Sequence, residues 1–140
     1  MASRTFFDTN VLVYLFDADA PAKQARAREA VGRALEQGAM VISTQVLQEF
    51  FVTVTRKLAR PLPAAEAEAA LRRLVELPVV QVDPDMILAA AAGSRRDGIS
   101  FWDALILTAA STAGCEEVLS EDLQHGRSFG RMRIVDPFRG

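Results

Sequence analysis

The sequence predicts an α/β fold: a three-layer α/β/α sandwich around a central parallel sheet of about five strands. Two observations carry this reading. Short β-rich runs alternate with longer helical patterns along the whole chain, an order that argues for a parallel sheet covered on both faces. The chain has 140 residues, half of them hydrophobic, enough for a full core in one domain spanning 1–140. Right-handed crossovers follow from that arrangement, and the C-terminal strand ends then form one edge of the domain.

The elements follow in order. Thr5-Phe6-Phe7 is the first strand, and Asp8 or Thr9 stands at the start of a helix. Pro21 opens a helix running to about Gln37, with Gly38 as its stop. Met40-Val41-Ile42 is the second strand. Ser43 or Thr44 caps a helix that runs to about Leu58, before Pro61. Pro63 opens another helix, ending before Pro78, and Val79–Val82 is the third strand. Asp83-Pro84 reads as an N-cap followed by Pro at the first helical position, opening a helix to about Ala92 or Arg95. Ser100 starts a helix through Ala113, ended by Gly114. Glu117–Leu119 is the fourth strand and Arg133–Val135 the fifth. Strand order does not follow from this pattern.

Bulk charge narrows the function classes. With 16 Lys and Arg against 18 Asp and Glu, the net charge is −2, so no strongly basic footprint marks the chain for generic capture of nucleic acid. Arg95-Arg96 and the group Arg127, Arg131, Arg133 and Arg139 are the candidate local patches, with solvated surface as the plainer reading. Cys115 is the single cysteine, which excludes an internal disulfide and a thiolate cluster and reads as a small buried hydrophobe. No secretory signal or membrane-length apolar stretch appears, so a soluble cytoplasmic protein without membrane contact is expected.

Four acids stand at the ends of elements. Asp8 closes the first strand, where open α/β sheets place their ligands, and it is equally an N-cap. Glu49 falls off the apolar face formed by Val46, Leu47, Phe50, Phe51 and Val54, so periodicity alone gives no reason to single it out. Asp103 completes Ser100-Phe101-Trp102-Asp103, a capping-box pattern, yet it enters the nearly all-apolar run Ala104–Leu107, where an acid is costly unless paired or bound to a cation. Asp122 follows the fourth strand in a turn, with Glu121 as its rival. Acids gathered at one point repel unless a cation neutralises them or some take up protons. Mg²⁺ or Mn²⁺ held by such oxygens, with its bound water and a substrate phosphate, suits phosphodiester hydrolysis.

Four segments together resemble the PIN-domain nucleases, and within them the VapC-type toxins of type II toxin–antitoxin systems. They are Phe6–Tyr14, Ser43–Phe50, Ser100–Ile106 and Leu119–Gly126, in the family's order and at similar intervals. The resemblance implies that Asp8, Glu49, Asp103 and Asp122 are the metal-binding, catalytic acids. Thr9 and Ser120 match supporting hydroxyl residues, and Asn10 belongs to the opening motif with a structural role. It further implies a three-layer PIN fold, a Mg²⁺- or Mn²⁺-dependent endoribonuclease acting on RNA, a homodimer, and inhibition by a small cognate VapB-type antitoxin.

Other residues are assigned plainer roles. His125, the sole histidine, is expected in a turn outside the acidic pocket. Phe101 and Trp102 can stack on bases, but beside an apolar helix core packing is expected of them. Two rivals remain. A HAD-like phosphatase uses Asp8 as nucleophile, but it wants a second Asp two residues later, where Asn10 stands. An inactive PIN-like binding module would act only through its partners.

Overall fold

The first strand, β1 (Thr5–Phe7), forms over the residues the sequence indicates and ends in two fully buried phenylalanines. The computed structural model describes residues 3–139. After β1 come α1 (Thr9–Tyr14), α2 (Pro21–Glu36), β2 (Met40–Ser43), α3 (Thr44–Arg56) and α4 (Ala64–Leu74). Then follow β3 (Val79–Val80), α5 (Pro84–Asp97), α6 (Phe101–Thr112), β4 (Glu117–Leu119), β5 (Ser128–Phe129) and β6 (Met132–Val135).

Local chemistry sets most boundaries. Pro21 sits in the first turn of α2, where its missing N–H costs nothing, and Gly38 at φ 61° takes the left-handed turn that releases the chain into β2. Ser43 is both the last residue of β2 and the cap of α3, accepting from the Val46 amide at 3.3 Å. Asp83 caps α5 by accepting from the Met86 amide at 2.9 Å. α5 runs on to Asp97, past the expected Arg95, and β3 is shorter than Val79–Val82.

Among the described residues the sheet has six strands, in the order β3-β2-β1-β4-β6-β5. All pairings are parallel except β5 with β6, so the sheet is mixed rather than wholly parallel. The added strand is a two-residue edge piece. Ser128 pairs with Arg133 and Phe129 with Met132, and Gly130 at φ 60° opens the two-residue turn between them. Two residues carry no alternation to read, which is why the hairpin left no pattern.

The chain moves outward from β1 to β2 to β3, then returns to place β4 on the other side of β1. Right-handed crossovers therefore put α1–α4 on one face and α5–α6 on the other. Helix contacts agree: α3 packs on α1 and α4, while α5 packs on α6. The main core joins Phe6, Phe7, Leu12, Ile42, Phe50, Ile106 and Ile134, all essentially inaccessible. The reversal of direction between β1 and β4 creates a crevice beyond their carboxyl ends, the place where open α/β sheets bind ligands.

Candidate active site

Parallel register brings Asp8 to that crevice. Phe7 pairs with Leu119, so the next residues, Asp8 and Ser120, emerge side by side from β1 and β4. The Ser120 hydroxyl donates to Asp8 Oδ2 at 2.6 Å, and the Thr9 amide donates to Asp8 Oδ1 at 2.8 Å. Asp8 is thus the N-cap of α1 and a cleft residue at once.

Asn10 ties the same strand ends together. Its Nδ2 donates to Asp122 Oδ2 at 3.1 Å and more weakly to Asp8 Oδ2 at 3.4 Å, while its Oδ1 accepts from the Glu121 amide at 3.1 Å. Ser120 Oγ also accepts from the amides of Asp122 and Leu123, both at 3.2 Å, which folds the loop after β4 around its hydroxyl.

On the other side of Asp8, the Thr9 hydroxyl donates to Glu49 Oε1 at 2.7 Å. Gln45, one turn earlier on α3, donates from Nε2 to Glu49 Oε2 at 3.2 Å and to the Trp102 carbonyl at 3.1 Å. Two acceptors on that nitrogen settle the amide's orientation and leave Gln45 Oε1 buried without a protein partner. Gln45 is 4% exposed, and sequence reading missed it. The available signal was its i,i+4 spacing to Glu49, which puts both side chains on one helix face.

Asp103 stands in the first turn of α6, where the Ser100 hydroxyl accepts from its amide at 3.1 Å. Its carboxyl lines the same cleft of ≈ 740 Å³ as Asp8, Glu49 and Asp122. Ser100 supplies the cap of α6, and Asp103 lines the cleft.

Burial and neighbouring acids act on two of these carboxyls, Asp8 and Asp103. Burial pushes the Asp8 carboxyl up to about 6, against the lowering effect of hydrogen bonds from Ser120 and the Thr9 amide, with Glu49 and Asp122 adding to the rise. Asp103 is also raised, first by burial, with a Ser120-like opposing bond from Ser100 and further lifts from Asp122 and Glu49. Among the described residues no three His, Cys, Asp or Glu side chains converge closely enough to enclose an ion by themselves. The donor set still fits Mg²⁺ or Mn²⁺, which use one or two carboxylates and complete their shell with water and phosphate oxygens.

Glu121 lines the cleft but is engaged elsewhere. Its Oε2 is 2.7 Å from Lys23 Nζ, and its Oε1 accepts from the Tyr14 hydroxyl at 2.9 Å. Tyr14 and Lys23 were not singled out by sequence, because nothing local links them to residue 121.

The remaining expectations sort cleanly. His125 is exposed in a turn outside the cleft, its Nδ1 accepting from the Asp136 amide at 3.0 Å. Cys115 is buried, as expected of a small hydrophobe. Trp102 corrects the expectation of core packing: it is 60% exposed and lines the cleft. It lies on the first turn of α6, while Phe101 packs against the cluster of Ala90, Ala104 and Leu105. Of the candidate basic residues, Arg96 pairs with Asp97 and Arg127 reaches the Asp97 carbonyl, both lining a second cleft beside α5 and α6, whereas Lys57 lines the acidic cleft itself.

The PIN-domain family model matches residues 5–128, nearly the whole chain. This chain belongs to the PIN-domain family. No curated protein matches it by sequence. Solved PIN-like structures similar to it include a toxin–antitoxin complex from Klebsiella pneumoniae, at 19% identity and TM-score 0.69, covering 95% of this chain and 97% of that one. The VapC20 toxin of Mycobacterium tuberculosis, described as cleaving the sarcin–ricin loop, aligns at 24% identity and TM-score 0.65 over 81% of this chain and 86% of that one. DNA-bound VapBC from Salmonella typhimurium aligns at 19% identity and TM-score 0.65 over 97% and 99%. At these identities the likeness establishes the shared PIN fold.

Proposed function

We propose that this PIN domain is a divalent-metal-dependent endoribonuclease acting as the toxin of a VapBC-type toxin–antitoxin pair. The observation that carries the reading is the meeting of Asp8, Glu49, Asp103 and Asp122 in one cleft at the β1/β4 switch point. Burial and neighbouring carboxylates hold Asp8 well above its ordinary range, an electrostatic cost that a cation would remove. The VapC20 toxin, which cleaves an RNA loop, supports RNA as substrate, and the toxin–antitoxin complexes among the similar structures support a small antitoxin as partner.

In this reading the four acids are the metal-binding, catalytic set, and Thr9, Asn10 and Ser120 hold them in place. When bound, Mg²⁺ or Mn²⁺ would supply Lewis-acid activation of water and neutralise charge on the phosphate oxygens. Asp8, fixed by Ser120 and the Thr9 amide, is the innermost anchor. Glu49 is oriented by Thr9 and Gln45, and Asp122 by Asn10, so each carboxylate spends little rotamer freedom on binding. Asp103, partly exposed with a raised pKa, is the better placed to accept a proton from an attacking water. The protein is expected to act as a homodimer in the cytoplasm; among the described residues no helix is long and apolar enough to cross a membrane.

The test is RNA cleavage by the purified, antitoxin-free protein with Mn²⁺, beside an EDTA control and Asp8→Asn. Cleavage should require the ion and vanish in a folded Asp8→Asn protein. Full activity in that variant would overturn the assignment. Absence of divalent-ion binding by calorimetric titration would favour a PIN module that only binds partners.

A further inference from the structure

We infer that Trp102 is a stacking platform for an unpaired nucleobase beside the scissile phosphate. The inference rests on the ribonuclease reading above and adds a base-binding subsite to it.

Trp102 is the only tryptophan of the chain, and it is left 60% exposed on a domain that buries most of its large apolar side chains. Its position is not a free surface. It lines the cleft that holds the four acids, and it immediately precedes Asp103, which sets the two Cα atoms about 3.8 Å apart. The ring therefore lines the same cleft into which the acids would draw a phosphate.

The ring is also held. The Phe101 ring meets it edge-on at 5.1 Å and 77°, and Phe101 is itself anchored against Ala90, Ala104 and Leu105. The Trp102 carbonyl accepts from Gln45 Nε2, the same nitrogen that donates to Glu49. One amide therefore registers the aromatic residue against a carboxylate of the site. A preset platform suits a base, because stacking is tolerant of sequence and needs only an accessible π-face. Gln48, exposed on the same cleft, offers an amide that can donate to or accept from a base edge. In an A-form duplex the bases are already stacked on each other, whereas loops and single strands can splay a base onto a side chain.

Because Trp102 is the sole tryptophan, intrinsic tryptophan emission reads this residue alone. The wild-type protein is titrated in EDTA, where cleavage is silent, with a single-stranded oligoribonucleotide, the matching duplex, and inorganic polyphosphate as a charge-only probe. A saturable change in emission is expected with the single strand and not with polyphosphate. With Mn²⁺, Trp102→Ala should raise KM about tenfold while kcat stays within about threefold, and Trp102→Phe should recover most of the loss. Binding of labelled single strand with emission unchanged, or an unaltered KM in Trp102→Ala, overturns the stacking role while leaving the ribonuclease reading intact. An emission change that tracks protein concentration without RNA would place a second protein surface on the ring and overturn it as well. A wild-type protein that cleaves no RNA brings down the ribonuclease reading and this subsite together.

Discussion

The Ser120 hydroxyl donates to the Asp8 carboxylate at 2.6 Å, joining residues 112 positions apart at the ends of adjacent parallel strands. It is the hydrogen bond that most favours the charged form of Asp8, and it also organises the loop that carries Asp122. Removing it should show at both places. Ser120→Ala is expected to raise the Asp8 pKa above about 6 and to cost about 1–3 kcal/mol of stability, since two amides lose their acceptor. Carboxyl-carbon NMR titration of the metal-free protein and urea unfolding measure the two effects. An unmoved Asp8 titration in the folded variant would remove Ser120 from the assigned role.

Stability of the metal-free protein should fall as pH rises through the acid range. Asp8 ionises near 3.8 in the unfolded chain and near 6 in the folded one, so between those values the folded state holds more protons. Below that window the group is neutral in both states and contributes nothing. Above it the full penalty applies, at most about 3 kcal/mol. Asp8→Asn should therefore be more stable than the wild type at pH 7 without metal. Denaturant unfolding from pH 4 to 7 checks this; a wild-type stability that rises across the window at Asp8's expense, or an Asn variant no more stable, contradicts it.

Divalent ions should reverse that penalty. Mn²⁺ at about 100-fold excess over its Kd should stabilise the folded protein by about 2.7 kcal/mol, with proton release on binding near pH 6. Calorimetry in two buffers of different ionisation enthalpy reads the released protons directly. Asp8→Asn should show neither the proton release nor the gain in melting temperature.

Glu121 and Asp122 should separate by mutation. Glu121 is held by Lys23 and Tyr14, whereas Asp122 faces Asn10 and lifts the pKa of both Asp8 and Asp103. Asp122→Asn is expected to lower kcat/KM by about a hundredfold, the scale of one lost electrostatic group in a catalytic site. Glu121→Gln should stay within about threefold, since the partly exposed Lys23 pair contributes little. The reverse order of effects would move the assignment to Glu121.

Cys115 offers a folding probe. Burial pushes its thiol up to about 11, so thiolate is scarce at neutral pH in the folded protein. Alkylation at pH 8 should be slow under native conditions and fast in urea, tracking global unfolding. Rapid native labelling would show that the α6–β4 region opens on its own.

Much of this architecture is local chemistry, and the sequence by itself determined it. Asp83, Ser100 and Ser43 cap the helices they precede, Pro21 opens α2, and the runs Thr5–Phe7 and Glu117–Leu119 are strands, because caps and side-chain periods act over three or four residues. The family resemblance also selected Asp8, Glu49, Asp103 and Asp122 by number, where periodicity alone passed over Glu49. Only the tertiary structure decided the strand order, and with it that β1 lies beside β4 and Asp8 beside Ser120. It alone buried Gln45 between Glu49 and Trp102, tied Glu121 to Lys23 and Tyr14, and turned Trp102 outward at the cleft. Those relationships join residues tens of positions apart through register and packing, and no local interaction along the chain encodes which distant partner a side chain will meet.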